Sequence, residues 1–362
     1  MMIQMAALTA ILLSLPATLP AWELPRPAGA HPVGRRLVYW QRGADQWVVT
    51  WVWYPSAVAP RTSEPVLPEG WSRLRQPTLQ RRLGPEAAVA FMAARQWFRP
   101  DAPIAAKPDM LPVLVLSPGL SWLPVDYSAL AAELASRGYV VFGVAPAGFA
   151  GPIPLPGGEV AGQSRGPGDQ ASWEADLRFA LARIAELQTA EDSPFRGRLT
   201  LDRIGLFGHS MGGAASMAVA AGNPQIAAAA NLDGDFMGPA RDVRPLQPLL
   251  LLSHREPAGL AGSGGADPSE GRRSRDWDAV SSQSQSAQRF ALIDSSHLDF
   301  LDAGLLPPAL IPRRLRENRF SDRPGTRTLA LTAQLLDDFF AGRPVAETAA
   351  RFPELKPLPG RR

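Results

Sequence analysis

Between Arg35 and Tyr54 two runs rich in aromatic and β-branched residues read as pleated strands, in which every second residue shares a face. One run spans Arg35 to Gln41, a turn sits at Gly43-Ala44-Asp45, and a second run spans Trp47 to Tyr54, which predicts an antiparallel hairpin. Trp47, Val49, Trp51 and Trp53 fall on one face of the second arm, either packing the sheet or offering an aromatic surface. Further along come shorter apolar runs. Leu111 to Leu116, Tyr139 to Val144, Arg203 to Phe207, Ile226 to Leu232, Pro248 to Ser253 and Phe290 to Ile293 read as strands, those without polar alternation being covered on both faces. Between and after them, helices are predicted over Pro85–Phe98, Ser128–Ser136, Asp169–Leu187, Met211–Ala221 and Thr326–Phe340. Pro85 suits a first helical position and Gly138 a C-terminal cap. Pro55–Gly84 and Gly148–Gly168 read as irregular.

Strands alternating with helices predict an α/β fold. Its central sheet is mostly parallel, with helices on both faces and the hairpin at one edge. The expected organisation is a signal peptide over 1–21, a Pro/Gly-rich linker over 22–34, and one catalytic domain over 35–342. A Gly/Ser/Arg-rich insert of low apolar content lies at 259–286, and a frayed tail at 343–362. The leader rests on the uncharged apolar run Met5–Leu15, too short to span a bilayer, followed by Pro16, Pro20 and Ala21. Secretion or a periplasmic location is therefore expected, although the run has no Lys or Arg before it.

Leu201 to Ala215 carries the strongest chemical signal. An apolar strand runs into Gly208-His209-Ser210-Met211-Gly212, a G-x-S-x-G pattern, and small helix-compatible residues follow. Strand, sharp turn and helix together hold a serine hydroxyl at the tip of a sheet. Such a hydroxyl needs a base, and the base needs an orienting acid. Of the four histidines, His31 lies in the leader linker, and the His209 ring is expected to point away along the turn. His297 follows the last short strand and is preferred to His254 as the base. The acid lies between Ser210 and His297. Asp233 ends a strand and is preferred to Asp235, two residues further on, and to Glu256 after the next strand. For an oxyanion, the amides of Met211 and Leu120 are the candidates, the latter in Ser117-Pro118-Gly119-Leu120.

Composition narrows the partners. Net charge is +3, Lys107 and Lys356 are the only lysines, and no basic stripe is interleaved with aromatics, which argues against nucleic acid. A pI near 9.6 favours transient contact with an anionic membrane surface. The absence of cysteine excludes thiolate catalysis and disulfides. No cofactor or metal is expected, and oligomeric state is not readable.

Ser117-Pro118-Gly119-Leu120, the Gly208–Gly213 elbow, Leu232-Asp233 and Ser296-His297 together resemble the α/β-hydrolase superfamily. Within it the chain most resembles the bacterial relatives of platelet-activating-factor acetylhydrolase, the plasma and type II group, whose opening strand is similar to Trp53-Tyr54-Pro55. The acid follows the serine by 23 residues, as in that group. Polyester hydrolases share the Gly-His-Ser-Met-Gly elbow but place the acid much later, which sets them apart. The chain departs from its relatives at Pro118, where they carry His, at Pro146-Ala147, and in its insert. The resemblance implies Ser210 as nucleophile, Asp233 as acid, His297 as base, and Leu120 and Met211 as oxyanion donors. The implied activity is a serine carboxylic ester hydrolase acting on small or short-acyl esters, including phospholipid-derived ones. A peptidase or amidase on the same fold, or an inactive binding protein, are the competing readings.

Overall fold

Apolar runs without alternation become the centre of one ten-stranded sheet, because strands covered on both faces need apolar side chains in both directions. This computed structural model describes residues 22–358, except 44–45, 147, 163, 165, 167–168, 237 and 255–267. In chain order the sheet strands are β1 (Val33–Arg42), β2 (Gln46–Pro55), β3 (Arg99–Pro100), β4 (Leu111–Ser117) and β5 (Val140–Pro146). They continue as β6 (Leu199–His209), β7 (Ile226–Leu232), β8 (Leu249–Ser253), β9 (Ala287–Leu292) and β10 (Leu355–Pro357). Across the sheet they lie in the order β10-β9-β8-β7-β6-β4-β5-β2-β1-β3. The six strands from β9 to β5 run parallel. The β1–β2 hairpin joins β5 antiparallel, and β10 joins β9 antiparallel.

The helices are α1 (Trp71–Leu83), α2 (Pro85–Met92), α3 (Ser128–Ser136), α4 (Gln170–Leu187), α5 (Met211–Ala220), α6 (Pro268–Ser281), α7 (Arg313–Arg319), α8 (Gly325–Phe340) and α9 (Val345–Arg351). Two apolar cores flank the sheet, and consecutive strand residues divide between them. Phe207 and Leu250 join the core with α3 and α8, whereas Leu206 and Leu251 join the core with α4 and α5. Trp51 and Trp53 are fully buried, and Trp51 meets the edge of Trp71 at 5.1 Å. These tryptophans are therefore core, not a binding surface.

Four expectations are corrected. The stretch before Gly84 is not irregular throughout but contains α1. Its buried face is Trp71, Arg75, Leu79 and Leu83, at a spacing of four. Arg75 belongs there because Asp126 meets it with two 2.7 Å hydrogen bonds, so a charged residue stands in an otherwise apolar stripe, and Pro77 further masks the helix. Part of the polar insert is α6, which buries Trp277 and Val280 against the sheet. The segment after Gly342 is not frayed. Asp338 accepts hydrogen bonds from Arg343, Thr348 and Arg351, tying α9 to α8, and β10 then pairs with β9. The helix from Pro85 also ends at Met92, since Arg95 turns to pair with the segment at Trp22–Leu24.

Candidate active site

Parallel strands end at one edge of the sheet, so the loops after β4, β6, β7, β8 and β9 converge there. Ser210 sits at the β6–α5 turn with φ +55° and ψ −129°, a strained backbone for any side chain but glycine. The turn closes only because its flanking residues are glycines. A Cβ on Gly212 would lie 2.2 Å from the Pro118 carbonyl oxygen, and one on Gly208 would lie 2.4 Å from the Gly212 backbone. The loop after β7 is built against the same turn. Asn231 clasps Gly234, accepting its N–H at 2.7 Å and donating to its carbonyl at 3.1 Å. Asp233 is thereby held at φ +59°, with its backbone N–H on the Leu252 carbonyl.

Asp233 is the hub. Its Oδ2 accepts hydrogen bonds from the Nδ1 atoms of both His297 and His254, the latter at 2.6 Å. Its Oδ1 accepts the His254 backbone N–H at 3.1 Å and Arg273 Nη1 at 2.8 Å. Burial alone would raise this carboxyl. The donors from His254 and His297, with the positive charge of Arg273, outweigh it and hold Asp233 well below the ordinary value of 3.8. Asp235 stands apart, more exposed, and pairs with Arg273. Glu256 lies outside the described residues.

His297 opens a short turn after β9 that Asp299 secures by accepting the Ser296 N–H at 2.8 Å. Its ring lies 4.4 Å, centre to centre, from that of His209, the residue preceding Ser210. The expectation that His209 points away is therefore corrected: its ring is fully buried between His297, Phe300 and Tyr127. The Gly119 N–H donates to the Tyr127 hydroxyl at 3.0 Å, and that hydroxyl donates to His209 Nδ1 at 2.8 Å. Burial, and then the neighbouring His297, keep His209 well below the usual histidine value and so neutral. The oxyanion loop is thus latched through Tyr127 to the residue beside Ser210. With Gly119 engaged, neither the Leu120 nor the Met211 N–H finds an acceptor among the described residues. A Cβ on Gly119 would come within 3.3 Å of the Ser210 Cβ, which measures how closely this loop approaches the serine.

Ligand atoms of His209, Asp233 and His297 lie within 4.8 Å of one another. Tyr127 occupies His209 Nδ1, and Asp233 occupies His297 Nδ1. Both Nδ1 atoms and the Asp233 carboxylate are thus engaged within the protein, while the buried His209 Nε2 has no hydrogen-bond partner among the described residues. Sequence reasoning missed Arg273 and the place of His254 on Asp233. The spacing of Arg273 and Trp277, one turn apart on α6, was the available signal: Trp277 Nε1 reaches the Gly234 carbonyl at 3.4 Å while Arg273 holds Asp233.

A parallel sheet with helices on both faces and a strained strand–turn–helix serine defines an α/β-hydrolase. The family model for platelet-activating factor acetylhydrolase, isoform II, matches residues 17–146, and the PET hydrolase-like model matches residues 102–234. The second match covers the elbow, so that group is closer than the late acid of polyester hydrolases suggested. A ferulic acid esterase from Streptomyces cinnamoneus superposes with a TM-score of 0.72 at 26% identity, covering 94% of this chain and 100% of its own. No curated protein matches the chain. The chain is an α/β-hydrolase related to the platelet-activating factor acetylhydrolases, and its class is that of the serine-type carboxylic ester hydrolases.

Proposed function

We propose that the chain is an exported serine esterase that uses Ser210, His297 and Asp233 on small or short-acyl esters. The observation that carries this reading is the hydrogen bond from His297 Nδ1 to a buried, ionised Asp233 at the strand end beside Ser210. That bond fixes the His297 tautomer, leaving Nε2 as the base. Ser210 Oγ attacks the ester carbonyl carbon while Nε2 takes its proton. The Leu120 and Met211 amides receive the oxyanion, and Met211 adds the N-terminal end of α5. Collapse breaks the bond to the alcohol oxygen, which takes the proton from His297. Water, deprotonated by His297, then attacks the acyl-serine, and the acid leaves with Ser210 Oγ reprotonated. Asp233 keeps its charge throughout and stabilises the imidazolium. The matches to ester hydrolases support the reaction class, and platelet-activating factor, ferulate and polyester remain the substrates of those relatives. Ser210→Ala is expected to abolish turnover of short-chain p-nitrophenyl esters while thermal unfolding stays cooperative. Full activity in that variant overturns the assignment.

A further inference from the structure

Arg82 closes α1 against the oxyanion loop. Its Nη2 donates to the Leu120 carbonyl at 3.3 Å, and its guanidinium lies 4.7 Å from the centre of the buried Trp122 ring. Arg75, two turns earlier on the same helix, is neutralised by Asp126 in a two-pronged ion pair. Arg82 has no such partner: no carboxylate of the described residues lies within ion-pair distance of it. The charged groups that act on it are Asp126, Tyr127, Arg319 and Arg75. Asp126 is taken by Arg75, and Tyr127 is protonated because burial raises it well above its ordinary value. Arg319, exposed on α7, also lacks a carboxylate partner among the described residues. Arg82 therefore stands uncompensated on the loop that carries the proposed oxyanion donor Leu120, with the Arg319 charge acting on it. Half-burial lowers Arg82 from the usual arginine value, a cost that a fixed counter-charge would relieve. Its remaining N–H groups are not sealed away in the interior. A planar guanidinium with an open fork matches an oxyanion group better than any neutral ligand.

We infer that Arg82, reinforced by Arg319, forms an anion subsite beside the reacting carbonyl, so that the preferred ester carries an anionic group on its acyl or its alcohol part. This rests on the esterase reading above and narrows its substrate class. The test uses two matched pairs. Mono-p-nitrophenyl glutarate is compared with p-nitrophenyl valerate, which places the carboxylate on the acyl side. Then 4-acetoxybenzoate is compared with 4-acetoxybenzamide, which places it on the alcohol side. The readout is the ratio of kcat/KM, anionic over neutral, for the wild type, Arg82→Gln, Arg82→Lys and Arg319→Gln. Both members are measured on one preparation, so a partly folded variant changes both rates and leaves the ratio intact. The wild type is expected to prefer the anionic member of at least one pair by tenfold or more, and added salt is expected to reduce that preference. Arg82→Gln should lower the preference at least tenfold, Arg319→Gln by a few-fold, and Arg82→Lys to an intermediate degree. No preference in either pair overturns the subsite. So does an Arg82→Gln variant that loses both members by the same factor, since Arg82 then only braces Leu120. Neutral-ester turnover that depends on Ser210 leaves the esterase reading standing in either event.

Discussion

Replacing Asp233 by Asn removes one charge while keeping the shape of the side chain. Asp233 accepts four N–H donors, two from His254 and one each from Arg273 and His297. Asparagine offers one oxygen in place of two, and its NH2 must face either the imidazoles or the guanidinium. Either choice sets donor against donor. If the NH2 faces His297, the ring is driven to the wrong tautomer and the imidazolium loses its counter-charge. The expected fall in kcat is about 10⁴-fold, or about 5 kcal/mol of barrier. Stability should fall as well, because Arg273 then faces a neutral amide with its side chain only 13% exposed. Breaking a buried pair costs about 3–5 kcal/mol when the partner is left bare, but Arg273 keeps its pair with Asp235, so the loss should be smaller, about 1–3 kcal/mol. The pH dependence has a definite sign. A carboxyl held below its unfolded value contributes its full stability above the ordinary aspartate range and loses it as pH falls through the folded value. The gap between wild type and variant in urea unfolding should be constant near neutrality and close in acid. Steady-state hydrolysis of p-nitrophenyl acetate gives kcat, with Asp235→Asn as the control. A variant that keeps more than a tenth of wild-type kcat, or a stability gap that widens in acid, refutes the reasoning.

Three further outcomes follow from the same geometry. His254→Ala takes one donor from Asp233 Oδ2 and should lower kcat about tenfold, the worth of one charge-assisted hydrogen bond, with KM changed by less than twofold; a change confined to KM contradicts this. Trp277→Ala empties a fully buried site between α6 and the sheet and should cost about 3–5 kcal/mol in urea unfolding; a loss under 1 kcal/mol would place α6 outside the cooperative core. Asp126→Asn strands Arg75, which is 2% exposed, and should destabilise by about 3–5 kcal/mol, whereas replacing both partners by Met and Leu should recover most of that loss.

The central sheet is readable in the sequence because its strands must be apolar on both faces, and β7 matches the expected limits Ile226–Leu232. The elbow is readable for a related reason: tight backbone approach demands glycine at 208 and 212, which leaves a visible spacing. Asp233 and His297 could be singled out because strand ends converge in a parallel sheet, and the structure does bring them together. What escaped notice depends on pairing across the fold. Arg75 is buried only because Asp126, 51 residues away, neutralises it, so α1 shows no continuous apolar stripe. Arg273 and Trp277 sit in a run of arginines, serines and aspartates whose apolar face is two residues wide. The direction of the His209 ring is set by the Tyr127 hydroxyl, which no local pattern announces. His254 lay within view as an alternative base, and its bond to the same carboxylate oxygen as His297 emerges only when β7 and β8 are adjacent.

Incubation of the full chain with a fluorophosphonate, followed by digestion and mass mapping of the adduct, tests most directly whether one hydroxyl is activated. One adduct per molecule on Ser210, lost on prior replacement of His297 by Ala, is the predicted result. Adducts on a different serine, or none on a protein that still hydrolyses esters, would contradict it.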